Sequence, residues 1–439
     1  MSKVHVPVVN NVAARRSENP DEIEKAAGLL SDPQPEATFS ENRVSRMPRR
    51  TGDAERAVMR LESDVRLLRE EATPLQPSPQ ILDVNRLALG KRHDRFFYTV
   101  CHSRLVSTGV YVPEQRVTST ELFESFDSKN RFDIPYDWLE RSMGIRERRM
   151  APADVSPSQM ALTAAREALD RAAIPPPEID VIVYAGIMRD YVEPASAHIV
   201  QDRLQAKNAI VFDVTNACHG FMNAIHLVDA LIGLRQARYG LIVTGEHLSR
   251  VVRRAVETLQ MTHDRKVFKN LAGGLTLGDA GAAIILGPKL TPESGFMGCM
   301  LRSMGEHSGL CTYGARGEES APLMTDMPNI VKAHLQMHAE MYRESMLKFG
   351  WEPDEISKFV HHQVSLRAFK MHSEYSKVPV GLMPNTVSTM GNLATASIPV
   401  NLHNLVVNRE LADGDKVFIA GAGSGLSISQ AAFVWEQTA

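Results

Sequence analysis

The chain predicts an α/β fold with a central sheet covered on both faces, and three observations carry that expectation. From about Phe96 onward, short β-branched runs alternate with helical stretches. The runs are apolar on successive residues, as strands buried on both sides require. The same grammar then returns at matched spacing. "EIDVIVYAG" starts at Glu178 and "YGLIVTGE" starts 61 residues later at Tyr239, while "EISKFVHHQ" starts at Glu355 and "DKVFIAGAGSG" 60 residues later at Asp415. Such spacing points to an internal duplication of one α/β unit.

Each element follows from local signals. "SPSQMALTAAREALDRAAI" reads as a helix capped by Ser156 or Ser158, and "EIDVIVYAG" after it as a buried strand. "NAIVFDVTNAC" is the next strand, followed by a helix with Phe221, Ile225, Val228 and Ile232 on one stripe, then by the strand "YGLIVTGE". The first half closes with "LTLGDAGAAIILG" and the second with "GLSISQAAFVW". The expected division is therefore an N-terminal half over residues 96–290 and a C-terminal half over 291–439. A duplicated fold of this kind often binds its ligand where the halves meet.

Residues 1–95 differ. Pro, Glu, Ser and Arg dominate, and short apolar clusters never sustain a period, so this segment reads as a largely disordered arm. Within it Val58, Leu61, Val65 and Leu68 space one amphipathic helix over Asp53–Ala72.

The 439 residues carry a formal net charge of −3 and are 44% hydrophobic, which excludes a nucleic-acid footprint and a wholly disordered chain. The four cysteines, Cys101, Cys218, Cys299 and Cys311, form no CxxC pair, which argues against a zinc cage or a disulfide framework and for free thiols in a reducing compartment. No signal core or spanning apolar segment is present, so a cytoplasmic location is expected.

Cys218 stands where a strand gives way to a helix. Two readings fit that position: a small buried hydrophobe, or a nucleophile whose pKa is lowered by the helix N-terminus. In the second half His361 and His362 end an apolar strand, and Asn392 follows Gly391 in a loop. An imidazole N–H and an amide can both donate to an enolate oxygen, although a strand-end histidine equally fits a satisfied core residue. His334 and His338, one turn apart in "HLQMHAE", lack the HExxH glutamate and a third ligand, so they read as a solvated helix face and no metal site is expected.

From about residue 100 to the end the chain resembles the thiolase-superfamily condensing enzymes of the ketoacyl synthase III type. The stretches that carry the resemblance are "YDWLERSMGIRERRM", "FDVTNACHGF", "LTLGDAGAAIILG", "FVHHQVSLRAF", "GNLATASIPVNL" and "GAGSGLSISQAAFVW". The resemblance implies a duplicated, five-layered αβαβα body acting as a homodimer, here with an extra N-terminal arm. It also implies an acyltransferase that needs no cofactor and takes acyl-CoA or acyl carrier protein thioesters as partners. By matching motif, Cys218 would accept the acyl group, with His362 the catalytic histidine and Asn392 its asparagine. His361 falls on the opposite face of a period-two strand.

Trp138 matches a tryptophan that stacks on the adenine of coenzyme A, and Arg367 a basic residue that grips acyl carrier protein. The asparagine motif departs from the usual "GNTSAAS", with Leu393 and Ala394 in place of its polar pair. Glu193 lies 25 residues before Cys218, in "MRDYVEPASAHIV", a stretch similar to that of the OleA-type head-to-head condensing enzymes, in which such a glutamate acts as base from the neighbouring subunit. Joining two plain acyl thioesters requires loss of an α-proton, whereas a malonyl thioester yields its carbanion by losing CO₂. The expectation is therefore a non-decarboxylative Claisen condensation giving a β-keto acid or β-ketoacyl thioester. Decarboxylative condensation, a non-catalytic acyl-binding partner subunit and a Cys–His thioester hydrolase are the alternatives.

Overall fold

The computed structural model describes residues 96–314 and 322–436. The expected arm and its amphipathic helix lie outside the described residues. In chain order the elements that frame the site are β1 (Phe97–Val100), β2 (Ser103–Tyr111), α1 (Trp138–Met143), α2 (Pro157–Ala172), β3 (Val181–Ala185), α3 (Ser196–Leu204), β4 (Ile210–Val214), α4 (Gly220–Gly233) and β5 (Gly240–Glu246). They continue with α5 (Ser249–Gln260), β6 (Ala280–Pro288), β7 (Gly295–Ser303), α6 (Met327–Phe349), β8 (Ile356–His361), α7 (Leu366–Ser376), α8 (Ser397–Val407), β9 (Lys416–Gly423) and β10 (Ser427–Val434).

Two five-stranded sheets form, in the orders β2-β6-β5-β3-β4 and β1-β7-β10-β9-β8. In each, two or three parallel strands meet an antiparallel remainder: β5 runs parallel to β3 and β3 to β4, while β6 opposes β5 and β2. Likewise β8 and β9 are parallel, and β10 opposes both β9 and β7. The shared order is the duplication expected from the spacing. One strand departs from the expected halves: β1, at the start of the first, pairs antiparallel with β7 and completes the second sheet.

α4 and α8 lie between the sheets. Phe221, Ile225 and Val228 of α4 and Ile398, Leu402 and Leu405 of α8 share one apolar core with Val183 and Ile242 of the first sheet and Ile419 and Phe433 of the second. α2 and α3 cover the outer face of the first sheet through Ala161, Ala165, Leu169 and Val200. α6 packs on the outer face of the second sheet through Met337 and Met341, beside Met300 and Ile428. These are the five layers, and they explain why both sheets are apolar on successive residues. α2 begins as its sequence requires: Ser156 caps it, in a reciprocal pair with Gln159, and Pro157 occupies the first turn. Among the described residues no helix is long and apolar enough to cross a membrane.

Candidate active site

The segment after β4 makes a tight turn before α4. Ala217 adopts φ +47°, and the helix starts at Gly220 with His219 as its cap, so Cys218 sits two residues ahead of the helix rather than at its first position. The turn is held from the second sheet. A Cβ on Gly423, at the end of β9, would come within 2.6 Å of the His219 nitrogen, and one on Gly421 within 2.7 Å of Met222 Cγ. The bare glycines of "GAGSG" thus let the two halves close on the Cys218 turn.

Cys218, His362 and Asn392 line one cavity of about 320 Å³. The rest of its wall is largely apolar, with Ile187, Leu248, Val251, Leu277, Ile330 and Val331. His362 follows β8, fixed by its backbone N–H on the Ala420 carbonyl at 3.0 Å. His361 is fully buried on the opposite side, its ring 4.5 Å from Phe369 and 4.4 Å from His372 between centroids. The period of two therefore separates the two histidines as expected.

Asn392 is held by its backbone, which donates to Thr276 at 2.8 Å and accepts from Gly278 at 3.1 Å. Its Oδ1 accepts the Ala394 N–H at 3.0 Å, leaving the amide NH₂ to face the cavity. With Leu393 and Ala394 at these positions, the Asn392 oxygen is satisfied by a backbone donor.

The electrostatics bear on the two readings that the sequence leaves open for Cys218. Cys218 is part-buried on the cavity wall; burial pushes its thiol well up, with Cys311 and Glu246 adding in the same direction and its own backbone N–H opposing. Desolvation outweighs the helix end, so the resting group is a neutral thiol rather than a thiolate. Burial also pushes His362 down to about 3, helped by the charges of His334, His361 and His219, so its imidazole is neutral and has an N–H to donate.

A second cavity of about 360 Å³ shares Met327, Val331, His334, His362 and Val364 with the first and continues past Met143, Ser365 and Met371 to Arg367. Arg367 is exposed at that end. Trp138 lines neither cavity. It is half-buried on α1, its ring 5.9 Å from Phe123 in a stacked arrangement and 5.6 Å from Phe268, while Met143 of the same helix reaches the second cavity. Glu193 is also outside the Cys218 cavity of its own chain; it is exposed on the loop between β3 and α3, beside Tyr191 and Val192 at 60% and 78% exposure.

Sequence reasoning missed four groups. His334 lines both cavities and His338 is buried behind it, packed against His372 at 5.4 Å, so the expected solvated face is an inner one. Cys311 lines the same cavity as Cys218. Arg148 is fully buried, its guanidinium donating to Ser119 Oγ and the Leu275 carbonyl at 3.2 Å each, beneath the Asn392 loop. Glu246 is the fourth, a fully buried carboxyl at the end of β5.

The pattern of the family 3-oxoacyl-(acyl-carrier-protein) synthase III matches residues 212–305, and that of its C-terminal part matches residues 346–435. Among solved structures, the chain is 28% identical to a glutamate-to-alanine variant of OleA from Xanthomonas campestris, with a TM-score of 0.72 over 76% of this chain and 99% of that one. It is equally similar to cerulenin-bound OleA of the same organism, at 28% identity, TM-score 0.72, and 76% and 98% coverage. A cysteine-to-serine OleA variant with bound lauric acid and lauroyl-CoA gives 28% identity and a TM-score of 0.72 over 77% of this chain and all of that one. With a duplicated five-layered fold, synthase III matches in both halves and this likeness over nearly the whole of the related chains, the protein is a ketoacyl-synthase-III-like condensing acyltransferase with a thiolase-like fold.

Proposed function

We propose that the protein joins two acyl thioesters head to head, without loss of CO₂ from either. The observation that carries this reading is the convergence of Cys218, His362 and the Asn392 amide on one apolar cavity, with Glu193 presented outward on a loop pinned at both ends. An acyl group passes from a CoA or carrier-protein thioester to the Cys218 sulfur, and the thiol proton leaves with the displaced thiolate. A second acyl thioester then enters. Glu193 of the partner subunit takes its α-proton, and His362 and Asn392 donate to the enolate oxygen. The carbanion attacks the acyl carbonyl, the Cys218 thiolate departs and is reprotonated, and the product is a β-ketoacyl thioester, or the β-keto acid after hydrolysis.

Further features support it. The related OleA that holds lauric acid and lauroyl-CoA favours long acyl chains as substrates, and the apolar walls suit them. The second cavity is a fitting approach for the thioester carrier, with Arg367 at its mouth to meet phosphate or an acidic carrier protein and Trp138 close by for an adenine. A homodimer suits the exposed edge of the first sheet: β4 is its outermost strand, Ile210 is 61% exposed, and Asp213 of the same strand accepts the Ser196 and Ala197 N–H groups that end the Glu193 loop.

The synthase III matches favour a second reading, decarboxylative condensation with a malonyl thioester and Glu193 in a structural role. One experiment separates the two. Purified protein is incubated with lauroyl-CoA alone, beside Glu193→Ala, and products are followed by mass spectrometry. A condensed β-keto acid or its ketone, lost in the variant, is the expected result. Acylation of Cys218 with no condensation until malonyl-CoA is added, indifferent to Glu193, would establish the second reading instead.

A further inference from the structure

Glu246 closes β5 with a fully buried carboxylate that lines neither cavity. A carboxylate in such a place requires donors, and two loops supply them. Oε1 accepts the Ile187 N–H at 3.0 Å and Oε2 the Met188 N–H at 3.2 Å, both at the start of the loop that carries Glu193. Thr395 approaches from the asparagine loop with its hydroxyl and its backbone N–H both directed to the same carboxylate, and that hydroxyl also lies 3.3 Å from the Ala217 carbonyl. One side chain therefore holds three segments: the start of the Glu193 loop, the loop of Asn392, and through Thr395 the turn that precedes Cys218.

The rest of the Glu193 loop is fastened differently. Asp190 accepts the Ser158 N–H at 3.0 Å and hydroxyl at 2.9 Å, which anchors the middle of the loop to the first turn of α2. Asp213 anchors its end, with the Ser196 and Ala197 N–H groups at 2.8 and 2.9 Å. Glu246 alone of these three acids also contacts the asparagine loop, through Thr395.

We propose that Glu246 is a positioning residue for the condensation step, setting the Glu193 loop relative to the nucleophile and asparagine loops. This rests on the reading of Glu193 as the base. Glu246 touches no substrate; it acts through the backbone of Ile187 and Met188. Cys218 keeps the turn bonds of its own segment, His219 N–H to the Asn216 carbonyl and Gly220 N–H to the Ala217 carbonyl, both at 3.1 Å, so acylation is the step least dependent on it.

The test compares E246Q, E193A and the double variant, using lauroyl-CoA, with the CoA burst reporting acylation and steady-state product reporting condensation. The amide of E246Q keeps the shape but turns an NH₂ toward a backbone N–H. It is expected to lower condensation kcat about 10- to 100-fold, as misplacement of a reacting group does, while the burst and the KM for acyl-CoA stay near the parent's. In the E193A background it is expected to add no further loss, since both act through one group. Condensation by E246Q at the parental rate, or losses that multiply in the double variant, would overturn the inference while leaving the reading of Glu193 intact. E193A condensing as fast as the parent would overturn that reading, and the inference with it. Should E246Q fail to fold, E246D, which keeps the charge but withdraws it by one methylene, is measured in the same way with the same expectations.

Discussion

The Ala394 N–H donates to Asn392 Oδ1 at 3.0 Å, and this one bond decides which end of the Asn392 amide faces the cavity. With the oxygen occupied, the NH₂ is left as the donor beside His362 and Cys218. An enolate oxygen needs such a donor, whereas the neutral carbonyl of the incoming thioester depends on it far less. Asn392→Ala is therefore expected to lower condensation by about 10²- to 10³-fold while acylation of Cys218 persists. Single-turnover mass spectrometry of the acyl-enzyme, beside product formation, checks both halves; equal loss in the two steps would refute the assignment.

The backbone beneath Asn392 is equally specific. A Cβ on Gly278 would fall 2.0 Å from the Met390 carbonyl oxygen, and Gly391, at φ +73°, would bring one within 2.8 Å of the Thr276 carbonyl. Neither contact can be relieved by a side-chain rotation, because the obstacles are backbone atoms. Gly278→Ala is expected to destabilise the fold by roughly 2–4 kcal/mol, the range of backbone and overpacking faults, and to slow condensation by displacing the asparagine. Denaturant titration and product formation on the same preparation measure the two effects.

Much of this site was legible in sequence because its parts are local. Strand runs bounded by turns located Cys218, His362 and Asn392 at strand ends and in a loop, and the period of two separated His361 from His362. What escaped depends on distant contacts. α6 carries Lys332, Gln336 and Glu340, a polar pattern that reads as a wet face, yet His338 and Met341 on it are buried against the second sheet, since residue polarity alone does not report which side meets the body. Glu246 took its meaning from N–H groups 58 and 59 residues away, and no periodicity marks such partners. The β1–β7 pairing joins segments nearly 200 residues apart for the same reason. The two readings of Cys218 were likewise inseparable in sequence, which displays the approaching helix but not the apolar wall around the thiol.

That wall has a measurable consequence. A thiol whose pKa is raised by burial ionises only above the usual cysteine range, so alkylation of Cys218 by iodoacetamide is expected to be slow at pH 7 and to climb without a plateau through pH 9. Mass spectrometry of the labelled peptide gives the profile, with Cys218→Ala as the blank. A plateau below pH 7 would mean a stabilised thiolate.

Glu246 adds a pH dependence of stability. Burial raises its carboxyl from 4.5 to about 7, with Thr395 and the Ile187 and Met188 N–H groups opposing. Between those values the folded protein keeps a proton that the unfolded chain has released, so the contribution is fully present below about pH 4.5 and is lost as pH rises to about 7. The shift corresponds to about 3 kcal/mol. Relative to Glu246→Gln, which cannot titrate, the parent is expected to lose stability from pH 5 to pH 7 and to run parallel above pH 8. Denaturant midpoints at five pH values test this, and parallel curves throughout would show that Glu246 does not titrate in the window.

The exposure of Glu193 outside its own cavity permits a test of the proposed homodimer and of the loop's place in it. Cys218→Ala protomers lack the proposed nucleophile and Glu193→Ala protomers lack the proposed base, so each variant alone is expected to show at most residual condensation. If Glu193 serves the partner subunit, a mixed dimer contains one complete site: the Cys218 of one protomer facing the Glu193 of the other. Random exchange at equal amounts makes half the dimers mixed, each with one working site of two, and the expected recovery is about a quarter of parental condensation. Were Glu193 to act within its own chain, every protomer in the mixture would lack one essential group and no activity would return. Recovery after subunit exchange, measured with lauroyl-CoA against the unmixed variants, therefore decides whether the loop crosses the interface.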